Sequence, residues 1–200
     1  MKNIISILAL VVSFSSFGQT AQEYFKRGYN KAEAKDYYGA IADYTKAIEL
    51  NPNSDGSYHN RGFSKANLKD YYGAIADYTK AIELSPYDAD AYFNRGNSKT
   101  NLKDYYGAIS DYSKAVELKP NFTSVYYNRG LSKANLKDYY GAIADYTKAI
   151  ELDPNKTNAY ANRGITKEDL GDLNGACADW KKAARLGSAD AAEWVANQCN

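Results

Sequence analysis

Residues 60–86 read NRGFSKANLKDYYGAIADYTKAIELSP, and residues 128–154 repeat them with changes only at Phe63/Leu131 and Ser85/Asp153. The two stretches lie 68 residues apart, and half of that step runs through the whole chain. Gly28, Gly62, Gly96, Gly130 and Gly164 are spaced by 34, and each is followed twelve residues later by Ala40, Ala74, Ala108, Ala142 or Ala176. Pro52, Pro86, Pro120 and Pro154, the only prolines, keep the same step. A constant period of this length means copies of one supersecondary unit in a stack, each burying its apolar face on its neighbours.

Units of 34 residues start at Ala21, Asp55, Ala89, Thr123 and Thr157, giving 21–54, 55–88, 89–122, 123–156 and 157–190, with 191–200 left as a capping helix. Within a unit the small and apolar residues recur with helical spacing twice. That spacing predicts one helix over positions 2–14 and a second over 18–30. Aspartate at position 16 (Asp36, Asp70, Asp104, Asp138, Asp172) is the N-cap signal for the second helix, and proline at position 32 stops it. Tyr58 and Gly62 then face Ala74, Tyr78 and Ala81: small residues let two helices approach and a ring fills the gap. A second seam (Tyr71, Ile75, Tyr78, Ile82) should pack on the first helix of the next unit. In the last unit Trp180 replaces the ring, and Gly187-Ser188 stands where the others place a residue and then proline.

With an aromatic at position 4, glycine at 8, alanine at 20, an aromatic at 24, alanine at 27 and proline at 32, the units resemble tetratricopeptide repeats over residues 21–190. The resemblance implies an all-α, right-handed superhelical solenoid of antiparallel helix pairs that binds protein or peptide partners. Two positions depart from the family, 7 and 11, which carry Arg and Lys in every unit (Arg61 and Lys65, for example). The Arg projects near a packing seam, where an unpaired cation would cost several kcal/mol. Position 23 is always Asp (Asp43, Asp77, Asp111, Asp145, Asp179), which predicts an Arg–Asp pair inside each unit.

The N-terminus follows different rules. A short basic start at Lys2, a nearly unbroken apolar run from Ile4 to Phe14 and small residues before Gln19 have the layout of a secretory signal peptide over residues 1–18. The run is too short for the roughly 20 apolar residues of a membrane span, so export to the periplasm or the medium is expected, without stable membrane insertion. Removing that segment takes away one cation and leaves 24 basic and 24 acidic side chains. A balanced charge without a basic run argues against nucleic acid. Cys177 and Cys199 are the only cysteines. If the last turn centres on Gly187-Ser188, an antiparallel hairpin places them opposite one another, and an exported chain would join them as a disulfide.

Positions 2, 5, 6, 9, 12 and 13 of each first helix point away from the packing seams and would line the concave groove. Asn60, Asn94, Asn128 and Asn162 recur at position 6, and Asn67, Asn101 and Asn135 at position 13. Phe63, Phe93 and Tyr127 lie on the neighbouring stripe. A primary amide offers a donor and an acceptor, as a peptide backbone does, and flanking rings add apolar contact. The position-6 row is similar to the asparagine ladder in the repeat domain of O-linked N-acetylglucosamine transferase, which implies sequence-tolerant binding of a peptide backbone. Amides that only bridge neighbouring helices are the competing expectation. Tyr38, Tyr72, Tyr106 and Tyr140 at position 18 are expected to pack on the loops between units, with an exposed row as the alternative.

No catalytic inventory is legible. His59 is the only histidine, the glycines are single and repeat-phased, and no cofactor or metal motif occurs. The functional expectation is therefore a non-catalytic interaction scaffold; the alternative is a structural or self-assembling module of a larger exported complex.

Overall fold

The computed structural model describes residues 19–199; the signal-peptide segment lies outside the described residues. Within them the chain is all helical. The first helices are α1 (Ala21–Glu33), α3 (Asp55–Asn67), α5 (Ala89–Asn101), α7 (Thr123–Asn135) and α9 (Thr157–Asp169). The second helices are α2 (Tyr37–Leu50), α4 (Tyr71–Leu84), α6 (Tyr105–Leu118), α8 (Tyr139–Leu152) and α10 (Leu173–Arg185), followed by α11 (Ala189–Gln198).

Capping explains the boundaries. The Asp70 carboxylate accepts the Gly73 N–H at 2.9 Å, and the same bond recurs at Asp36, Asp104, Asp138 and Asp172. The cap therefore sits directly before the helix, which starts one residue earlier than its expected position 18. First helices likewise start one residue early. The C-terminal helix spans Ala189–Gln198 rather than 191–200. Gly187, at φ +97°, turns the chain at once, and the Ser188 hydroxyl accepts the Ala191 N–H at 3.2 Å.

Inside each pair the turn rests on Lys35, Lys69, Lys103 or Lys137 at φ between 62° and 64°, with Gly171 in the last pair. A left-handed lysine costs about 1 kcal/mol. A backbone bond from the following Asp to the position-11 carbonyl closes the turn, as from Asp70 N–H to Lys65 at 2.9 Å.

Tyr44, Tyr78, Tyr112, Tyr146 and Trp180 are fully buried beside the repeated alanines. Each ring lies on the opposing glycine: a Cβ added to Gly96 would stand 2.7 Å from Tyr112 Cε1. Between pairs, Val125 of α7 joins Ala108, Tyr112 and Ala115 of α6 in one buried cluster. Each second helix thus packs on the first helix of the following pair, as the second seam predicted.

First helices also touch the first helix of the next pair, whereas second helices make no comparable contact among the described residues. The stack is tighter along the row of first helices, so that row is its inner side.

A polar spine crosses the array. Arg61 donates to Asp77 at 2.6 and 2.9 Å, Lys65 reaches the same carboxylate at 2.8 Å, and the pattern holds in every pair. The expected Arg–Asp pairing is present, and position 11 completes it. The third guanidinium nitrogen of Arg61, Arg95, Arg129 and Arg163 donates to Thr45, Thr79, Ser113 and Thr147 of the preceding pair.

At the C-terminal end Cys177 and Cys199 are joined, with Cα atoms 5.6 Å apart, and the Trp180 and Trp194 rings lie 5.5 Å centre to centre.

Candidate functional site

Three clefts indent the inner row at corresponding places. The first, of 230 Å³ between α3 and α5, has Phe63, Asn67, Tyr78, Asn94, Asn97 and Asn101 in its walls. The second, of 370 Å³ between α5 and α7, is bounded by Asn97, Thr100, Asn101, Tyr112, Asn128 and Leu131. The third, of 250 Å³ between α7 and α9, has Leu131, Asn135, Tyr146, Asn162, Ile165 and Asp169. Each lies 34 residues beyond the last because each is built from the same positions of two successive units.

Both asparagine rows therefore face the inner side, but they behave differently. At position 13, Asn67, Asn101 and Asn135 donate their Nδ2 groups to the carbonyls of Phe63, Asn97 and Leu131 one turn back, at 2.8–2.9 Å. A carbonyl can only accept, so this fixes the amide orientation and leaves each Oδ1 towards solvent.

At position 6 the amides bridge backwards to the preceding pair. Asn94 Nδ2 meets His59 Nε2 at 3.1 Å, Asn128 Nδ2 donates to Asn97 Oδ1 at 2.8 Å, and Asn162 Nδ2 donates to the Tyr127 hydroxyl at 2.9 Å. Asn60 makes no such bond among the described residues. The position-6 amides thus form three different bridges between helices, the competing expectation for this row, each set by what the preceding unit offers.

The aromatic stripe divides as well. Phe63 is exposed and stands open in the first cleft. Phe93 packs at 4.9 Å centre to centre on Phe122 and at 6.1 Å on Tyr112, and Tyr127 lies 6.0 Å from Tyr146, so these two rings are wall material. His59 joins Asp88 at 3.2 Å to Asn94 and stands edge-on to Tyr78 at 5.5 Å.

Spacing alone missed two contributors. Asn97 replaces an apolar residue at position 9, and three of the position-24 tyrosines, Tyr78, Tyr112 and Tyr146, read as core filler, border the clefts. The odd residue at position 9 was the available signal. The Tyr112 hydroxyl donates to Asn97 Oδ1 at 2.8 Å and lies 3.0 Å from Thr100 Oγ1. Burial pushes its pKa up to about 12, partly offset by the Thr100 contact, so it stays a donor. Burial raises Tyr78 and Tyr146 as well.

The position-18 tyrosines do not pack on loops. Tyr38, Tyr72, Tyr106 and Tyr140 are 77–78% exposed, because position 18 lies one residue into the second helix, on the side opposite its buried alanine.

Among the described residues no cluster of three or more His, Cys, Asp or Glu could hold a metal, and no helix is long and apolar enough to cross a membrane.

With this geometry the class is plain: a stack of helical hairpins whose inner row carries the variable polar groups. Tetratricopeptide repeat models match residues 21–54, 89–122, 123–156 and 145–178, and a further TPR repeat model matches 66–102. Together they span most of the chain, which belongs to the tetratricopeptide-repeat family. No curated protein matches it.

Solved structures share the fold. A crystal structure of MamA superposes with a TM-score of 0.78 at 26% identity, covering 80% of this chain and 93% of that one. MamA residues 41 to the end from Desulfovibrio magneticus RS-1 give 0.81 at 22%, covering 84% and 96%. YrrB, described as a TPR protein with an unusual peptide-binding site, gives 0.79 at 22%, covering 88% and 92%.

Proposed function

We propose that this protein is a non-catalytic, exported scaffold that holds an extended peptide, or an extended segment of a protein partner, along the row of first helices. Its five units, 21–54, 55–88, 89–122, 123–156 and 157–190, form the binding array, and α11 caps it. The observation that carries this reading is the series of three clefts at corresponding places in successive units, each with hydrogen-bonding groups beside an apolar wall. A linear ligand can engage more than one of them at once; a compact small molecule can meet only one. The peptide-binding site described for YrrB is consistent with the same use of a similar fold. The signal-like pattern over residues 1–18 and the Cys177–Cys199 bridge support an oxidising destination, periplasm or medium.

End-on self-assembly has weaker support. On α1, Glu23 and Asn30 are exposed where later pairs bury Ser57, Ala91, Val125 or Ala159 and Ser64, Ser98, Ser132 or Thr166. Glu23 is committed to a capping box with Thr20. At the other end α11 already covers the seam of α10.

The test is selection of random dodecapeptides on the mature chain, followed by binding to Asn101→Arg/Asn135→Arg. These exposed positions border all three clefts, and arginine there fills the clefts without entering a packing seam. Binding should fall to background. Peptides that bind this variant as well as the parent, or failure to select any, would overturn the proposal. Recovery of the protein outside the cytoplasm with Gln19 as its first residue is the corresponding expectation for export.

A further inference from the structure

The three clefts share a plan but differ in hydrogen-bonding state. Tyr78 and Tyr146 are each 1% exposed, border the first and third clefts, and have no hydrogen-bond partner for their hydroxyls among the described residues. Neither hydroxyl is sealed from solvent, unlike that of Tyr44, which is buried without a partner and borders none of the three clefts. Tyr112, in the middle cleft, is satisfied by Asn97 and Thr100. Those two residues set the middle cleft apart: positions 9 and 12 are Phe63 and Ala66 in the first cleft and Leu131 and Ala134 in the third. The middle cleft has bonded to itself; the outer two keep a free donor at the floor.

Their rims offer the complement. The Asn67, Asn101 and Asn135 Oδ1 atoms are left as acceptors once each Nδ2 is tied to its own helix. The first cleft has no charged residue in its lining, and the third has one, Asp169. A donor below and acceptors above, in a space for one side chain, fit a group with one carbonyl and an adjacent NH₂. A charged side chain would enter the first cleft without a counter-charge.

Building on the peptide-scaffold reading, we infer that the first and third clefts are two anchor pockets for the carboxamide side chains, Asn or Gln, of one extended peptide, and that the middle cleft is passed over. Burial raises both hydroxyl pKa values, so the two tyrosines donate throughout the physiological range. Successive first helices touch, so their axes lie roughly 10 Å apart and two steps cover roughly 20 Å. An extended chain advances about 3.3 Å per residue, which separates the anchors by about six residues.

The experiment uses the dodecapeptides selected on the parent protein and measures affinity by fluorescence anisotropy. Selected sequences should carry paired Asn or Gln residues about six apart. Tyr78→Phe and Tyr146→Phe remove a hydroxyl without disturbing the ring and should each weaken binding about fivefold, the value of one hydrogen bond. Tyr112→Phe should change affinity less than twofold. Asn97→Leu/Thr100→Ala gives the middle cleft the position-9 and position-12 residues of the third. Because Asn97 also lines the first cleft, the readout is the preference for peptides with a third carboxamide midway over those without it, which should rise about fivefold. Circular dichroism confirms that each variant is folded.

Equal effects of all three Tyr→Phe changes, no effect of any, or selection of Lys or Arg at either anchor would overturn the two-anchor inference. If binding is still lost in Asn101→Arg/Asn135→Arg, the scaffold reading survives that failure. Unchanged binding in that variant overturns both.

Discussion

Arg61 Nη1 donates to Thr45 Oγ1 across the boundary between two hairpins, at 3.1 Å, while its other nitrogens hold Asp77 in its own hairpin. One guanidinium thus ties two units together. Thr45 in turn donates to the Ile41 carbonyl at 2.7 Å, so the link ends on backbone. The last unit, which no arginine follows, has Lys181 at this position.

The spine has an order of importance. Asp77→Ala leaves Arg61 and Lys65 partly buried without their counter-charge and should cost about 3 kcal/mol. Thr79→Val removes the link to Arg95 together with the local bond from Thr79 to the Ile75 carbonyl and should cost about 1 kcal/mol. Urea unfolding followed by circular dichroism ranks the two; equal costs would mean that the spine contributes nothing beyond its separate bonds.

Close approach at the glycines is a second expectation. Gly96→Ala places a methyl 2.7 Å from Tyr112 Cε1, and that ring is 0% exposed with nowhere to move. Overpacking of this kind should cost about 2 kcal/mol. Gly56→Ala, whose added carbon meets only Phe25 at 3.6 Å, is its control and should be neutral or mildly stabilising in the same urea titration.

Acid should weaken the N-terminal hairpin through Asp43. The hydrogen bond from Arg27 holds this carboxyl below the usual carboxylate range against the opposing effect of burial, with Lys31 assisting. A group whose folded pKa is depressed stabilises the fold above its unfolded pKa, near 3.9, and that contribution disappears as pH falls through the folded value. Asp43→Asn should be less stable at neutral pH and show a flatter acid limb below about pH 4. An acid limb identical to the parent's would exclude this pairing as its source.

Reduction should loosen the C-terminal end. Opening Cys177–Cys199, which are 22 residues apart, removes about 3 kcal/mol in the chain-entropy account. The Trp180–Trp194 contact makes the change visible, since undocking α11 exposes a ring now packed at 5.5 Å. A red shift in tryptophan emission on adding dithiothreitol, absent in Cys177→Ser/Cys199→Ser, is the expected outcome. Helical signal from α1–α9 should be unchanged.

Much of this was legible because the interactions are local or repeat with a fixed period. A buried ring must meet a glycine, and a buried cation must meet an anion, at the same offset in every copy. Repetition thus turned tertiary contacts such as Arg61–Asp77 into a pattern in one dimension. Helix starts slipped by a residue because capping geometry, not hydrophobic period, sets the end of a helix. The exposure of Tyr72 and its equivalents ran against the usual burial of aromatics, since its direction depends on rotation of the second helix about its axis.

By itself, then, the sequence determined the helical hairpin, its five-fold recurrence as a pattern, the intra-unit ion pairs and the partnering of Cys177 with Cys199. Only the tertiary structure decided that Asn128 bonds Asn97, that Asn162 bonds Tyr127, and that the Tyr112 hydroxyl is bonded within the protein while those of Tyr78 and Tyr146 face the clefts without a bond to another described residue. The physical reason is that hydrogen bonds between units depend on residues that break the repeat. Side chains over 30 positions apart in sequence come within 3 Å only after the stack has set their distance and direction.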